Sequence, residues 1–154
     1  MQSRTILLTI AALVVAAAGF GTWHQYRAAS APGDPADASQ VAAGKILYGE
    51  QCANCHGKQL EGQPNWKIRG ANGRMPAPPH DASGHTWHHP DEQLFQITKI
   101  GVRPPLAPPG YESDMPGFAG ILSDDEIWAV LAYIKSACPA AIRKRHAEMS
   151  AAAR

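Results

Sequence analysis

The sequence of 154 residues lacks three features, each of which would suggest a particular class of fold or function. No segment alternates apolar and polar residues in the way that predicts a β-strand. No long run of basic residues suggests nucleic-acid binding, and we interpret the short cluster RKRH, residues 143–146, as a solvated tail of the last helix. No nucleophile is grouped with a general base, so the chain is not predicted to be an enzyme.

The chain opens with a long apolar run. Residues 5–23 carry no charge, and 19 helical residues at 1.5 Å each span about 28 Å, close to the roughly 30 Å of bilayer hydrocarbon. Arg4 ahead of the run favours a cytoplasmic N-terminus. We expect residues 1–27 to be an uncleaved signal anchor, with a cleaved signal peptide as the alternative. Both interpretations predict that the rest of the chain is exported from the cytoplasm.

The remaining chain divides by composition. Residues 28–39, AASAPGDPADAS, offer almost nothing large to bury and are predicted to be a flexible linker. Residues 40–138 suffice for one small core, which a large apolar cofactor would help to stabilise. Pro139 is expected to end the last helix, which leaves residues 139–154 as a C-terminal tail.

Two helices are predicted in the first two thirds of this domain. The first is capped by Ser39 and ends just before Cys52. The second has Pro90 at its first position and stops at Gly101. Its expected buried face consists of Leu94, Phe95 and Ile97.

The last helix has the clearest signals. Ser123 and Glu126 form the capping-box pattern S-x-x-E. The apolar stripe behind it has helical spacing and consists of Ile127, Val130, Leu131 and Ile134. We therefore predict an all-α fold with about three main helices and long loops, preceded by the N-terminal hydrophobic helix.

Two of the three cysteines stand in the motif C-x-x-C-H, formed by Cys52, Cys55 and His56. A redox dithiol should follow a strand, and none is predicted. A zinc site needs a fourth ligand, such as Cys138 or another histidine, and the adjacent Cys55 and His56 rarely converge on one tetrahedral ion. A porphyrin suits the motif better, because the thiols add to its vinyl groups and the next residue brings an imidazole beneath the iron. We predict one covalent haem c with His56 as an axial ligand.

A methionine is predicted to complete the coordination of the iron. Met115 lies 59 residues after His56 in the segment SDMPGF, just before the last helix. Met75 also precedes a proline but lies only 19 residues away, too close to reach easily around a haem. Ligation by Met115 and His56 raises the reduction potential and suits electron transfer.

Three features in this order resemble a class I c-type cytochrome over about residues 40–137: the segment CANCHG, the Met-Pro-x-Phe segment, and the capped, aromatic last helix. The resemblance implies the cytochrome c fold around one covalent haem. It also implies a close crossing of the first and last helices, at which Gly44 and Tyr48 meet Trp128 and Tyr133.

The resemblance further implies that a proline carbonyl accepts a hydrogen bond from Nδ1 of the proximal histidine. Pro79 is the first candidate for this proline and Pro64 the second. The family often has leucine after the proline, where this sequence has His80.

A histidine-rich segment follows, with His80, His85, His88 and His89 within ten residues. We expect His88 and His89 to lead into the helix after Pro90 and Trp87 to pack at the haem edge, where it could donate to a propionate. Copper binding, or exchange of a histidine onto the iron, is the alternative. Cys138 is expected to be half-buried at the helix end, with an intermolecular disulfide as the alternative.

The resulting hypothesis is a monohaem c-type cytochrome that carries single electrons between membrane or periplasmic respiratory partners. Expected partners are a quinol-oxidising complex, a terminal oxidase or reductase, and the cytochrome c maturation machinery. We expect it on the periplasmic side of the bacterial cytoplasmic membrane, anchored by residues 5–23, or soluble in the periplasm if the leader is cleaved. A haem-bearing subunit of a larger oxidoreductase is the alternative; a ligand-binding haem sensor is disfavoured by the MPGF segment.

Overall fold

The structure, a computed structural model, describes residues 31–154. The apolar run at residues 5–23, expected to be a membrane anchor, lies outside these residues. None of the helices within residues 31–154 has the length and apolar character that crossing a membrane requires. Contacts group everything from Pro32 to Arg154 into one unit.

This unit is built from helices and loops. The α-helices are α1 (Ala38–Gln51), α2 (Ala53–His56), α3 (Asp91–Ile100), α4 (Asp124–Ser136) and α5 (Ala140–Ala152), with a 3-10 helix at Thr86–His88. Residues 31–154 contain no strand, only an isolated bridge between Ala119 and Leu122. The predicted all-α class is confirmed.

The helix starts differ in detail from those expected. Asp37, rather than Ser39, caps α1, because its carboxylate accepts the N–H groups of Ser39 and Gln40 at 2.8 and 3.2 Å. Pro90 is the N-cap of α3 and not its first residue, so this helix begins at Asp91, one residue later than predicted. The capping box of α4 is confirmed: the Ser123 hydroxyl accepts the Glu126 N–H, and the Glu126 carboxylate accepts the Ser123 N–H.

Helices α1 and α4 cross in close contact at Gly44. A Cβ placed on Gly44 would lie 1.8 Å from the carbonyl oxygen of Ala129, so only glycine permits this approach. One turn along, the rings of Tyr48 and Tyr133 lie 5.4 Å apart. The implied crossing is thus present, and Trp128 stacks on Phe95 of α3, with ring centroids 4.6 Å apart.

The C-terminal segment forms a further helix, α5, that packs on the domain. Its His146 is only 2% exposed, donates from Nε2 to the carbonyl of His89 at 2.8 Å, and lies edge-on to Trp87. Ser150 accepts the N–H of Asp91 at 3.0 Å. The interpretation of the basic cluster as a solvated tail is therefore wrong for His146, because the helical repeat turns this residue toward the core while Lys144 and Arg145 stay exposed.

Candidate functional site

The C-x-x-C-H motif forms the junction between α1 and α2. Cys52 ends α1, and its N–H donates to the carbonyl of Tyr48 at 2.9 Å. Cys55 and His56 lie in the single turn of α2, and their N–H groups donate to the Cys52 carbonyl at 3.1 and 2.9 Å. Positions i and i+3 of such a turn share one side, so the spacing brings the two thiols together and places the imidazole directly after them.

The His56 imidazole is buried and held by one backbone carbonyl. His56 is only 7% exposed, and its Nδ1 lies 2.8 Å from the carbonyl oxygen of Pro78. Because a carbonyl only accepts, Nδ1 carries the proton and Nε2 keeps the lone pair that a metal requires. Burial lowers the pKa of His56, against the opposing effect of the Pro78 hydrogen bond, and so favours the neutral, metal-binding form.

The proline that holds His56 is not one of those expected. The sequence favours Pro79 or Pro64, and the structure places Pro78 there instead. The Pro79 carbonyl is directed at Gly84, where an added Cβ would lie 1.9 Å from its oxygen. Successive carbonyls in an extended segment point in different directions, so only one of the two prolines can reach the imidazole.

A cavity of about 650 Å³ adjoins the motif, with Cys52, Cys55 and His56 in its wall. This volume lies within the roughly 300–1,000 Å³ typical of cofactor pockets. Much of the remaining wall is apolar and includes Leu94, Ile97, Phe118, Val130, Leu131 and Ile134. Two thiols, one imidazole nitrogen and a large apolar space fit the chemistry of a haem attached through thioether bonds.

Met75 and Met115 both line the same cavity. The segment that contains Met115 is fixed to the end of α3 by two backbone hydrogen bonds. The N–H of Phe118 donates to the carbonyl of Thr98 at 3.0 Å, and the N–H of Ala119 donates to the carbonyl of Lys99 at 2.9 Å. Met75 lies in the long loop before the 3-10 helix. The cavity thus brings both sulfur-bearing residues to the site, and they differ in how firmly their backbone is held.

The alternatives of a redox dithiol and a zinc site receive no support. Burial, with a contribution from Cys55, raises the pKa of the Cys52 thiol to about 11, whereas reactive dithiols have a lowered pKa. Among residues 31–154, no group of three or more His, Cys, Asp or Glu side chains is arranged to hold a metal ion. That finding also removes support for copper binding by the histidine-rich segment.

The histidines of that segment occupy different positions. His80, His85 and His89 line the cavity, whereas His88 does not. The ring centroids of His85 and His89 lie 4.9 Å apart. Burial lowers the pKa of His85, and the nearby His89 and His88 lower it further. As expected, His88 and His89 lead directly into α3.

Trp87 does not take the expected place at the haem edge. Its Nε1 donates to the carbonyl of Asp81 at 2.7 Å, which leaves it no proton for a propionate. Its ring is buried in the core formed with Tyr48, Val130 and Ile134, away from the cavity wall. The 3-10 helix that contains Trp87 has only three residues. A segment this short has no apolar periodicity from which the side faced by Trp87 could be predicted.

Cys138 is more deeply buried than expected. It is 3% exposed, and burial, with a further contribution from Asp81, raises the pKa of its thiol to about 11. The side chain of Arg143 donates to its carbonyl, which ties α5 over the end of α4. A buried, protonated thiol is poorly placed for the alternative of an intermolecular disulfide.

Sequence reasoning missed two contacts at the site. The ring of His80 stacks on that of His56, and Arg74 bonds across the long loops to Glu112 and Asp114. The unusual histidine after the proline pair was a signal for the first. No sequence signal marked the second, since its partners lie about forty residues apart.

The sequence model of the family Cytochrome c matches residues 41–137, more than half of the chain. The chain therefore belongs to the cytochrome c family. Membership implies a covalently attached haem c and a role as a haem-based electron carrier, in agreement with the motif, the fold and the cavity. Comparisons with curated proteins and with solved structures gave no match.

Proposed function

We propose that Cys52 and Cys55 bind the haem through thioether bonds and that His56 is the proximal ligand of its iron. The observation that carries this proposal is the hydrogen bond from Nδ1 of His56 to Pro78, beside a cavity of about 650 Å³. It fixes the tautomer in which Nε2 can bind a metal. The two thiols lie one helical turn apart in the same wall.

Met115 is the proposed distal ligand. Its segment rests on the end of α3 with so little space that a Cβ on Gly117 would lie 2.7 Å from the carbonyl carbon of Ile100. The Met115 N–H donates to the hydroxyl of Ser113 at 3.1 Å. A backbone held at this many points keeps a thioether in place at a small entropic cost. Met75 lacks the corresponding backbone hydrogen bonds to a helix.

A bound haem supplies reversible one-electron exchange between ferrous and ferric iron. The chain's own residues determine the conditions for that exchange. Apolar side chains from α3 and α4 exclude water from the cavity, and the Pro78 carbonyl orients the His56 ring. A thioether from Met115 favours the ferrous form and therefore a higher potential.

In the cell, we propose that the protein carries single electrons between membrane or periplasmic respiratory partners on the outer face of the cytoplasmic membrane. Support comes from the family, from a motif whose haem is attached outside the cytoplasm, and from the apolar run at residues 5–23. A quinol-oxidising complex would be the donor and a terminal oxidase or reductase the acceptor. Residues 28–39 would act as a flexible linker that lets the haem domain move away from the membrane surface to meet its partners.

The ligand assignment is tested on the purified holoprotein. Acid–acetone extraction should leave the haem on the polypeptide, and release of colourless protein would contradict the thioether bonds. The oxidised protein should show the weak sulfur-to-iron charge-transfer band at the red end of the visible spectrum. Met115→Ala should abolish this band and lower the potential, whereas the matched control Met75→Ala should retain both. The opposite pattern would assign the ligand to Met75.

The location is tested by fractionation and N-terminal sequencing. Recovery in the salt-washed membrane fraction with Met1 or Gln2 at the N-terminus would support the anchor. A soluble periplasmic protein that starts near Pro32 would contradict it. Co-purification of a stoichiometric partner from membranes would favour the alternative of a dedicated subunit.

A further inference from the structure

The proximal histidine is in contact with a second, buried histidine. The rings of His56 and His80 are stacked, with centroids 4.1 Å apart and planes inclined by 25°. Stacking of flat rings at this distance is favourable. Both residues line the cavity. His80 therefore covers one face of the ring proposed to bind iron.

The position of His80 is itself fixed from two sides. Its Nδ1 lies 2.7 Å from the hydroxyl oxygen of Thr86, a buried residue of the 3-10 helix. Its backbone N–H donates to the carbonyl of Leu60 at 2.8 Å.

The hydrogen bond from His56 to Pro78 does not by itself fix the plane of the ring. A single hydrogen bond tolerates angular deviation, so it permits some rotation of the imidazole. His80, two residues after Pro78, blocks that rotation because its ring lies against the face of the imidazole. One short segment, residues 78–80, thus holds His56 by its edge and by its face.

We propose that His80 is a positioning residue that sets the orientation of the His56 ring plane and lowers the reduction potential of the haem. The inference rests on the proposed function, in which His56 is the proximal ligand. The orientation of an axial imidazole determines how its orbitals overlap with those of the iron. A polar side chain beside the ligand stabilises the more highly charged ferric state, since polarity around a haem is one of the determinants of its potential.

The test compares three variants of the purified holoprotein by electron paramagnetic resonance of the ferric form and by potentiometry. His80→Leu removes the polar ring, and Thr86→Val removes only the hydroxyl that fixes Nδ1 while it preserves the shape of the side chain. His88→Leu is the matched control, because it makes the same change at an exposed histidine that does not line the cavity.

We expect His80→Leu to shift the ferric g values, to broaden the signal and to raise the potential. Thr86→Val should shift the g values in the same direction by a smaller amount, and His88→Leu should match the wild type. Wild-type g values and potential in a folded His80→Leu protein would overturn the proposal. If that variant fails to fold, an unchanged spectrum in Thr86→Val would overturn it.

Failure of the ligand assignment would be visible separately. In that case the wild-type ferric protein would lack the low-spin signal of a histidine- and methionine-ligated haem, and the signal would not depend on His56. Failure of the present inference alone leaves this signal intact and identical in His80→Leu, Thr86→Val and the control.

Discussion

Lys135 and Asp91 form an ion pair that is largely removed from water. The Lys135 Nζ lies 2.8 Å from Oδ1 of Asp91, and the two side chains are 9% and 18% exposed. Nδ1 of His146 lies 3.9 Å from the same carboxylate oxygen. The pair joins the first residue of α3 to the last turn of α4, at the point where α5 also docks.

Removal of one partner should be costly because it leaves the other charge buried. We expect Lys135→Met to lower the free energy of unfolding by about 3–5 kcal/mol. The double variant Lys135→Met/Asp91→Asn should recover most of this loss, since neither charge remains. Chemical denaturation followed by circular dichroism measures both. Lys99→Met is the control, because Lys99 and Asp124 form an exposed pair, for which about 0–1 kcal/mol is expected. Equal effects at the two sites would contradict the prediction.

A methyl group at the helix crossing should not be tolerated. Gly44→Ala places a Cβ against the backbone of Ala129, so α1 and α4 must separate, and we expect a loss of about 1–3 kcal/mol or more. Gly49 lies in the same helix with nothing within 4 Å of an added Cβ, and Gly49→Ala should stabilise the protein by about 0.5–1 kcal/mol. Thermal unfolding of the two variants should therefore shift in opposite directions. A shift of the same sign in both would be evidence against this packing.

A salt-sensitive contact should control access to the iron. Nε of Arg74 lies 3.3 Å from Oε2 of Glu112, and Nη1 of Arg74 contacts Asp114. The loop that contains Met75 is thereby joined to the segment that contains Met115. We expect Arg74→Gln to speed the binding of imidazole to the ferric protein severalfold. Raising the salt to 1 M, where the Debye length is about 3 Å, should speed it in the wild type and much less in the variant.

The control for this effect is Lys58→Gln, which makes the same change of charge at an exposed position outside the contact. It should leave the rate of imidazole binding unchanged. Stopped-flow spectroscopy in the Soret region provides the rates. An Arg74→Gln protein with the rate and the salt dependence of the wild type would show that the contact does not restrain the loops.

The thiol of Cys138 should react only when the protein unfolds. Its burial and its pKa, raised to about 11, leave almost no accessible thiolate at pH 8. With Cys52 and Cys55 in thioether bonds, Ellman's reagent should detect no thiol in the native holoprotein and one per chain in guanidinium chloride. Three thiols in denaturant would mean that the haem is not covalently attached. Covalent dimers on a non-reducing gel would show that Cys138 is accessible.

Folding should depend on the haem. Residues of α1, α2, α3 and α4 all line the cavity, and a domain of about a hundred residues has little stability in reserve. We expect Cys52→Ala/Cys55→Ala to retain helical content but to lack fixed tertiary structure, as measured by near-ultraviolet circular dichroism. A cooperative thermal transition close to that of the holoprotein would contradict this expectation.

Much of the site could be predicted from the sequence because its chemistry is local. Cys52, Cys55 and His56 lie within five residues, and their relation depends only on the geometry of one helical turn. The same holds for the capping box of Ser123 and Glu126, which joins groups three residues apart.

The tertiary structure decided the contacts that join distant parts of the chain. Whether Pro78 or Pro79 reaches His56 depends on the path of a loop that returns after 22 residues, and the two prolines are alike in sequence. The stack of His80 on His56 follows from the same path. The docking of α5 joins Ser150 to Asp91 across 59 residues. Local propensities act over a few residues, so such contacts are set by which surfaces the whole chain buries together.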